Sequence, residues 1–227
     1  MSYMQRSVKN MGMKYVHLSP DMQLYMVACQ KWNDVERFKD VILRPGVMHI
    51  IMSACGAVGK LNKGSGVEVL IAASFGGLTG ILNGKSWVRS MRSFRMICEA
   101  VLSDFFSTGP KTSEELKDYL ERSREHPTGR HWVDNLIWPT LLIHHLLRAE
   151  REGDLSLQLK AIVGLLPYLF ASVHFHYARY LTQHALEIKY LIPAEAKEEL
   201  STGAFVCRHQ AGVWNSVYCD QFGEQTA

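Results

Sequence analysis

Lys14-Tyr-Val-His-Leu-Ser-Pro-Asp21 and Val41-Ile-Leu-Arg-Pro-Gly-Val-Met-His49 decide how this chain folds. Each begins as a short apolar run with β-prone residues, and each is stopped by proline. Lys14–Leu18 reads as one strand and Val41–Arg44 as a second. A helix is expected from about Asp21 to Trp32, with Leu24, Val27, Ala28 and Trp32 facing inward. Another starts near Val47 and carries His49 in its first turn. Strand, turn and helix, twice over, predict a small α/β layer with a short parallel or mixed sheet.

Beyond Gly59 the pattern changes. Lys60-Leu-Asn-Lys-Gly-Ser-Gly66 reads as a flexible turn, and a 3.6-residue apolar period then dominates to about Leu200. Helices are expected at 67–73, 86–106, 114–124, 131–152, 155–166, 167–190 and 193–200. Thr112-Ser-Glu-Glu115 has the form of a capping box. Pro139 and Pro167 are expected to kink or divide long helices. Phe205–Arg208 reads as a late strand, followed by a last helix. The predicted class is α+β, predominantly α-helical. Its parts are an α/β layer at 1–60, a helical region at 61–200, and a strand and helix at 201–227 that return to the layer.

Composition narrows the partners. Hydrophobic content of 47% with 21% charged residues suits a folded core. Residues 1–110 hold 13 Lys/Arg against 7 Asp/Glu, a net of +6, while 111–227 hold 12 against 15, a net of −3. A nucleic-acid surface is therefore sought in the first half. Five cysteines without a CxxC pair fit free thiols in a nuclear or cytoplasmic setting. No secretory leader core is evident near the start. The apolar runs 47–59, 136–147 and 162–173 fall short of the roughly 20 residues a membrane span needs.

Lys85, Arg89, Arg92 and Arg95 are spaced by four, three and three, one stripe of a helix. Val88, Met91, Phe94, Cys98 and Val101 form the adjoining apolar stripe. Such a basic face suits the DNA backbone, which needs positive charge without base reading; a solvated surface is the simpler alternative. Gly80-Ile-Leu-Asn-Gly-Lys-Ser86 lacks the spacing of a phosphate loop, because Thr79 stands where the first glycine belongs. His174-Phe-His-Tyr-Ala-Arg-Tyr180 reads as a hydrogen-bonded core network or as the lining of a charged channel. Cys207, His209 and Cys219 lack a fourth zinc ligand.

Tyr218-Cys-Asp-Gln-Phe-Gly-Glu-Gln-Thr-Ala227 puts Asp220 and Glu224 four apart, on one face if helical. Two such carboxylates suit Mg²⁺ or Mn²⁺. Nothing in this sequence completes the site, and the chain reads as a slice of a larger protein.

Four stretches together resemble a known group. They are Gly12–Asp21, Val41–His49, Leu147-Arg-Ala-Glu-Arg-Glu-Gly-Asp154 with Tyr177-Ala-Arg-Tyr180, and Val213–Thr226. The group is the uncharacterised, mobile-element-derived proteins of cnidarian, lancelet and fish genomes. The resemblance implies a relation to transposases of the ribonuclease H type, with the long helical stretch inserted in that fold. It implies acidic residues at sheet ends and on a late helix that hold two divalent metals for phosphodiester attack. On that mapping Asp21, Asp220 and Glu224 are the catalytic acids, and Asp220 and Glu224 are the metal ligands. Related sequences read Gly-Asp-Phe-His after the second strand, where this chain has Gly46-Val-Met-His49. Valine binds no metal, so the acid comes from elsewhere, His49 substitutes, or the copy is catalytically impaired. The other reading is a non-catalytic helical module that binds DNA or a protein partner.

Overall fold

A computed structural model describes residues 3–10, 12–31, 38–107, 109 and 111–206. Two three-residue strands, β1 (Val16–Leu18) and β2 (Val41–Leu43), pair in parallel, Val16 opposite Val41 and Leu18 opposite Leu43. Among the described residues these are the only strands, and helices make up most of the rest. The fold is α+β and predominantly helical, as the sequence predicts.

The chain separates into two compact units. Unit 1 holds residues 1–50, 145–166 and 175–227, and unit 2 holds 51–144 and 167–174. In chain order the helices lying within the described residues are α1 (Tyr3–Asn10), α2 (Met22–Lys31), α3 (Val47–Leu61), α4 (Val67–Ser74), α5 (Leu78–Leu82), α6 (Trp87–Val101), α7 (Ser103–Ser107) and α8 (Ser113–Ser123). Then come α9 (Pro127–Trp132), α10 (Trp138–Glu152), α11 (Leu155–Ala171), α12 (Phe175–Leu186) and α13 (Ala194–Ser201). Two π-helical turns, Val133–Ile137 and Glu187–Leu191, follow α9 and α12.

In unit 1 the sheet is built where apolar strand residues meet the late helices. Tyr15 and Ile42 pack with Leu155, Ile188, Leu200 and Phe205. One carboxylate anchors the edge of β1. Glu199 accepts hydrogen bonds from Lys14 N (2.7 Å), Tyr15 N (3.4 Å) and the His17 ring (3.0 Å). Burial pushes the Glu199 carboxyl up, but these donors outweigh it and hold it below the usual range. Burial also lowers His17, against the pull of Glu199, so near pH 7 a neutral imidazole donates to the Glu199 carboxylate and no ion pair forms.

The end of β2 is fixed by a buried polar group. Arg44, 2% exposed, donates to Gln158 Oε1 at 2.8 Å and stacks on the Phe205 ring at 4.4 Å. Its guanidinium lies 4.0 Å from Glu150, which also accepts from Gln158. A buried charge is tolerated only with such a set of partners.

Unit 2 is all helix. Buried Asn62 ties its parts by donating to Val58 O (2.8 Å) and Asn135 O (2.7 Å). The capping box of α8 forms as predicted. Thr112 Oγ1 accepts from Glu115 N at 3.2 Å, and the Glu115 carboxylate accepts from Thr112 N at 2.7 Å.

Four expectations are corrected. Leu24 and Val27 are 61% and 53% exposed, whereas Met22 and Tyr25 face inward against Tyr180. Val88 is 57% exposed and lies on the polar side of α6. Pro167 does not divide α11, which runs on to Ala171 and breaks at 172–174. Phe205 and Val206 lie in the turn after α13 rather than in a strand.

Candidate functional site

The residues expected at the strand ends are placed as follows. Asp21 stands after β1 and before α2, where its carboxylate accepts from Leu24 N at 2.8 Å. That bond caps the helix by satisfying one of its free first-turn donors. Val47 is buried at the start of α3, with His49 half-buried in the same turn. Asp220 and Glu224 lie outside the described residues, as do Cys207, His209 and Cys219. Among the described residues no three His, Cys, Asp or Glu side chains converge as a metal-holding group. Cys29, Cys55 and Cys98 are free thiols, and burial raises the pKa of each.

Arg89, Arg92 and Arg95 of the expected basic stripe lie on α6, whereas Lys85 precedes the helix. Helix α6 buries Ser90, Ser93, Phe94, Ile97 and Cys98. Ser90 Oγ donates to Ile81 O at 2.7 Å and Ser93 Oγ to Ser90 O at 2.9 Å, so small hydroxyls fit the packed side without unpaired groups. The opposite side presents Arg89, Arg92 and Arg95 to solvent, with exposed Lys85 in the turn just before the helix. Exposed Val88 and Met96 lie on the same side.

The arginines are held to different degrees. Arg89 donates to Gly76 O, a neutral acceptor that orients the guanidinium without cancelling its charge. Arg95 pairs with Glu99 at 3.3 Å, both well exposed. Such a pair contributes only about 0.3–0.5 kcal/mol, so an incoming phosphate displaces the carboxylate at little cost. Arg92 extends to solvent. Three arginines therefore share one face of α6 with one carboxylate, and Lys85 adds a fourth cation from the turn before it. Arg89 to Arg95 spans roughly 9 Å of helix axis, enough to reach neighbouring phosphates of one DNA strand.

A model for a domain of unknown function, DUF8702, matches residues 1–124 and, overlapping it, residues 107–227. The chain belongs to the DUF8702 family. No curated protein and no solved structure matches it.

In this DUF8702 chain, residues of the stretches 147–154 and 177–180 hold the fold. Glu150 is the buried partner of Arg44 and Gln158. Asp154 caps α11 by accepting from Leu157 N at 2.9 Å. Tyr180 packs edge-on against Tyr25, ring centres 6.1 Å apart. The His174–Tyr180 cluster is not one helical face. His174 lies in the break before α12, His176 is exposed, and Tyr180 and His184 are buried. No helix among the described residues is long and apolar enough to cross a membrane.

Proposed function

We propose that this DUF8702 chain binds DNA through the arginine face of α6, as a degenerate relative of ribonuclease-H-type transposases with impaired phosphodiester chemistry. The exposed row Lys85, Arg89, Arg92 and Arg95 carries this reading. It offers charge and reach for a phosphate backbone, with no side chain committed to a base edge. Impairment is supported by buried Val47 where an acid is expected, and by Asp21, whose carboxylate caps its own helix. Asp220 and Glu224 remain the proposed ligands for Mg²⁺ or Mn²⁺.

Reversing Arg89, Arg92 and Arg95 to Glu is the test. With about three phosphates neutralised, affinity falls roughly 40-fold between 50 and 200 mM salt. The triple variant loses most binding at low salt, and its salt slope drops towards zero. Fluorescence anisotropy with a labelled duplex reads both quantities. An unchanged affinity and slope would remove α6 from the interface.

The metal arm is separate. Millimolar Mg²⁺ or Mn²⁺ raises the melting temperature by less than about 2 °C, because an incomplete acid set binds weakly. A large stabilisation that disappears in Glu224→Gln would show a complete metal site and overturn the impaired reading.

A further inference from the structure

Helix α11 ends against an ordinary local rule. His174 N bonds to Leu169 O at 2.8 Å and Val173 N to Phe170 O at 3.1 Å. This is the paired closure in which the residue after the cap takes a left-handed conformation, normally as glycine. Here that residue is Val173, with φ 65°, the one described non-glycine residue at positive φ. A β-branched side chain there costs about 1–2 kcal/mol. Retained strain of this kind concentrates at functional positions.

Val173 lies on a cleft of unit 2 with a volume of 690 Å³. Small-molecule sites run about 300–1,000 Å³. Leu78, Leu82 and Val173 supply apolar wall, and Gly56 and Gly59 line it with backbone. Two lysines supply charge. Lys60 Nζ donates to Ser172 O at 2.9 Å, which holds it in place and leaves two donors for a ligand. Lys63 stands on the turn beside it; Glu68 also lines the cleft, its carboxylate accepting from Gly64 N and lying close enough to Lys63 to feel its charge. His174 closes the set. Its Nδ1 lies 2.8 Å from Ser172 Oγ, and its Nε2 reaches over Gly56. Burial, then Lys60, keep the ring neutral, so the positive charge resides on the lysines.

We infer that this cleft binds a small organic anion, with a phosphate or carboxylate head on Lys60 and Lys63 and an apolar body against Leu78, Leu82 and Val173. No residue of α6 lines the cleft.

Anilinonaphthalene sulfonate, a fluorescent anion with an apolar body, is the probe. Titrated into the native full chain, it saturates a single site. Lys63→Glu weakens it about tenfold, the loss of a close charge contact. Arg92→Glu, on the α6 face, leaves it unchanged. Val173→Gly raises the urea midpoint by relieving the left-handed valine, yet binds the probe more weakly because a wall is gone. That combination separates binding from folding, and it decides the matter if Lys63→Glu fails to fold. Competition with phenyl phosphate and with benzoate identifies the head group. The inference is overturned if native chain shows no saturable site, if neither Lys63→Glu nor Val173→Gly weakens the probe, or if neither competitor displaces it.

Discussion

Gly59→Ala collapses unit 2, whereas Gly64→Ala leaves it folded. A methyl at Gly59 would stand 2.0 Å from Leu82 O and 2.7 Å from Leu82 C and Cα. These are backbone atoms at the end of α5, so no side chain can turn aside. The neighbouring contacts repeat the arrangement. A methyl at Gly56 would meet Asn83 O at 2.9 Å, and one at Gly84 would meet Met52 O at 2.0 Å. Helix α3 and the turn at 82–84 thus touch main chain to main chain, and only glycine permits it. Accommodating the methyl means parting the two segments along this seam. Overpacking ordinarily costs 1–3 kcal/mol, and here about 3 kcal/mol or more is expected because the seam is rigid. Gly64, at φ 80°, has nothing within 4 Å. Alanine there loses only about 1 kcal/mol of left-handed backbone preference. Urea unfolding of both variants beside wild type measures the contrast. A Gly59→Ala protein within 0.5 kcal/mol of wild type would rule out the close approach.

That seam also shows where sequence reading stops. Local signals served well. β-Prone runs cut by proline located β1 and β2, the 3.6-residue period located the helical region, and Thr112 with Glu115 marked the start of α8. The arginine row was legible because helical spacing alone puts those residues on one side. Faces were harder where apolar residues occur all round. Met22-Gln-Leu-Tyr-Met-Val-Ala-Cys29 offers nearly any side for burial, and Tyr180 from α12 selects Met22 and Tyr25. Pro167 looked like a boundary, yet α11 tolerates it and ends where Val173 turns left-handed, with no glycine to announce the break. Arg44 meets Glu150 and Gln158 across more than a hundred residues. Lys60 and His174 meet across a similar gap. Pairings of that kind come from tertiary packing and leave no trace in local spacing. The acids Asp220 and Glu224 lie outside the described residues.

Acidification from pH 6.5 to 4.5 destabilises unit 1 before most of its carboxylates protonate. His184 is the main cause. It is fully buried on α12, its ring edge-on to Tyr25 at 6.5 Å, with Nδ1 unbonded. Burial, and secondarily the charge of Arg44, push its pKa down to about 3. The unfolded histidine titrates near 6.5. Above that pH both states are neutral and the full stability is present. Below it the unfolded chain takes up a proton that the folded chain refuses, so stability falls by up to about 1.4 kcal/mol per pH unit until the folded value is reached. Burial lowers His17 as well, so it adds to the same slope over a narrower range. Glu199 acts later. Its folded pKa is depressed, so its contribution is present above the unfolded carboxyl pKa and is lost as pH falls through the folded one. His184→Phe keeps a ring against Tyr25 and removes the titrating group. Two pH units of the His184 slope amount to about 2–3 kcal/mol, and the variant should recover that much at pH 4.5 while changing little at pH 7.5. Urea midpoints across this range test it, and a wild-type pH profile in His184→Phe would assign the acid sensitivity to other groups.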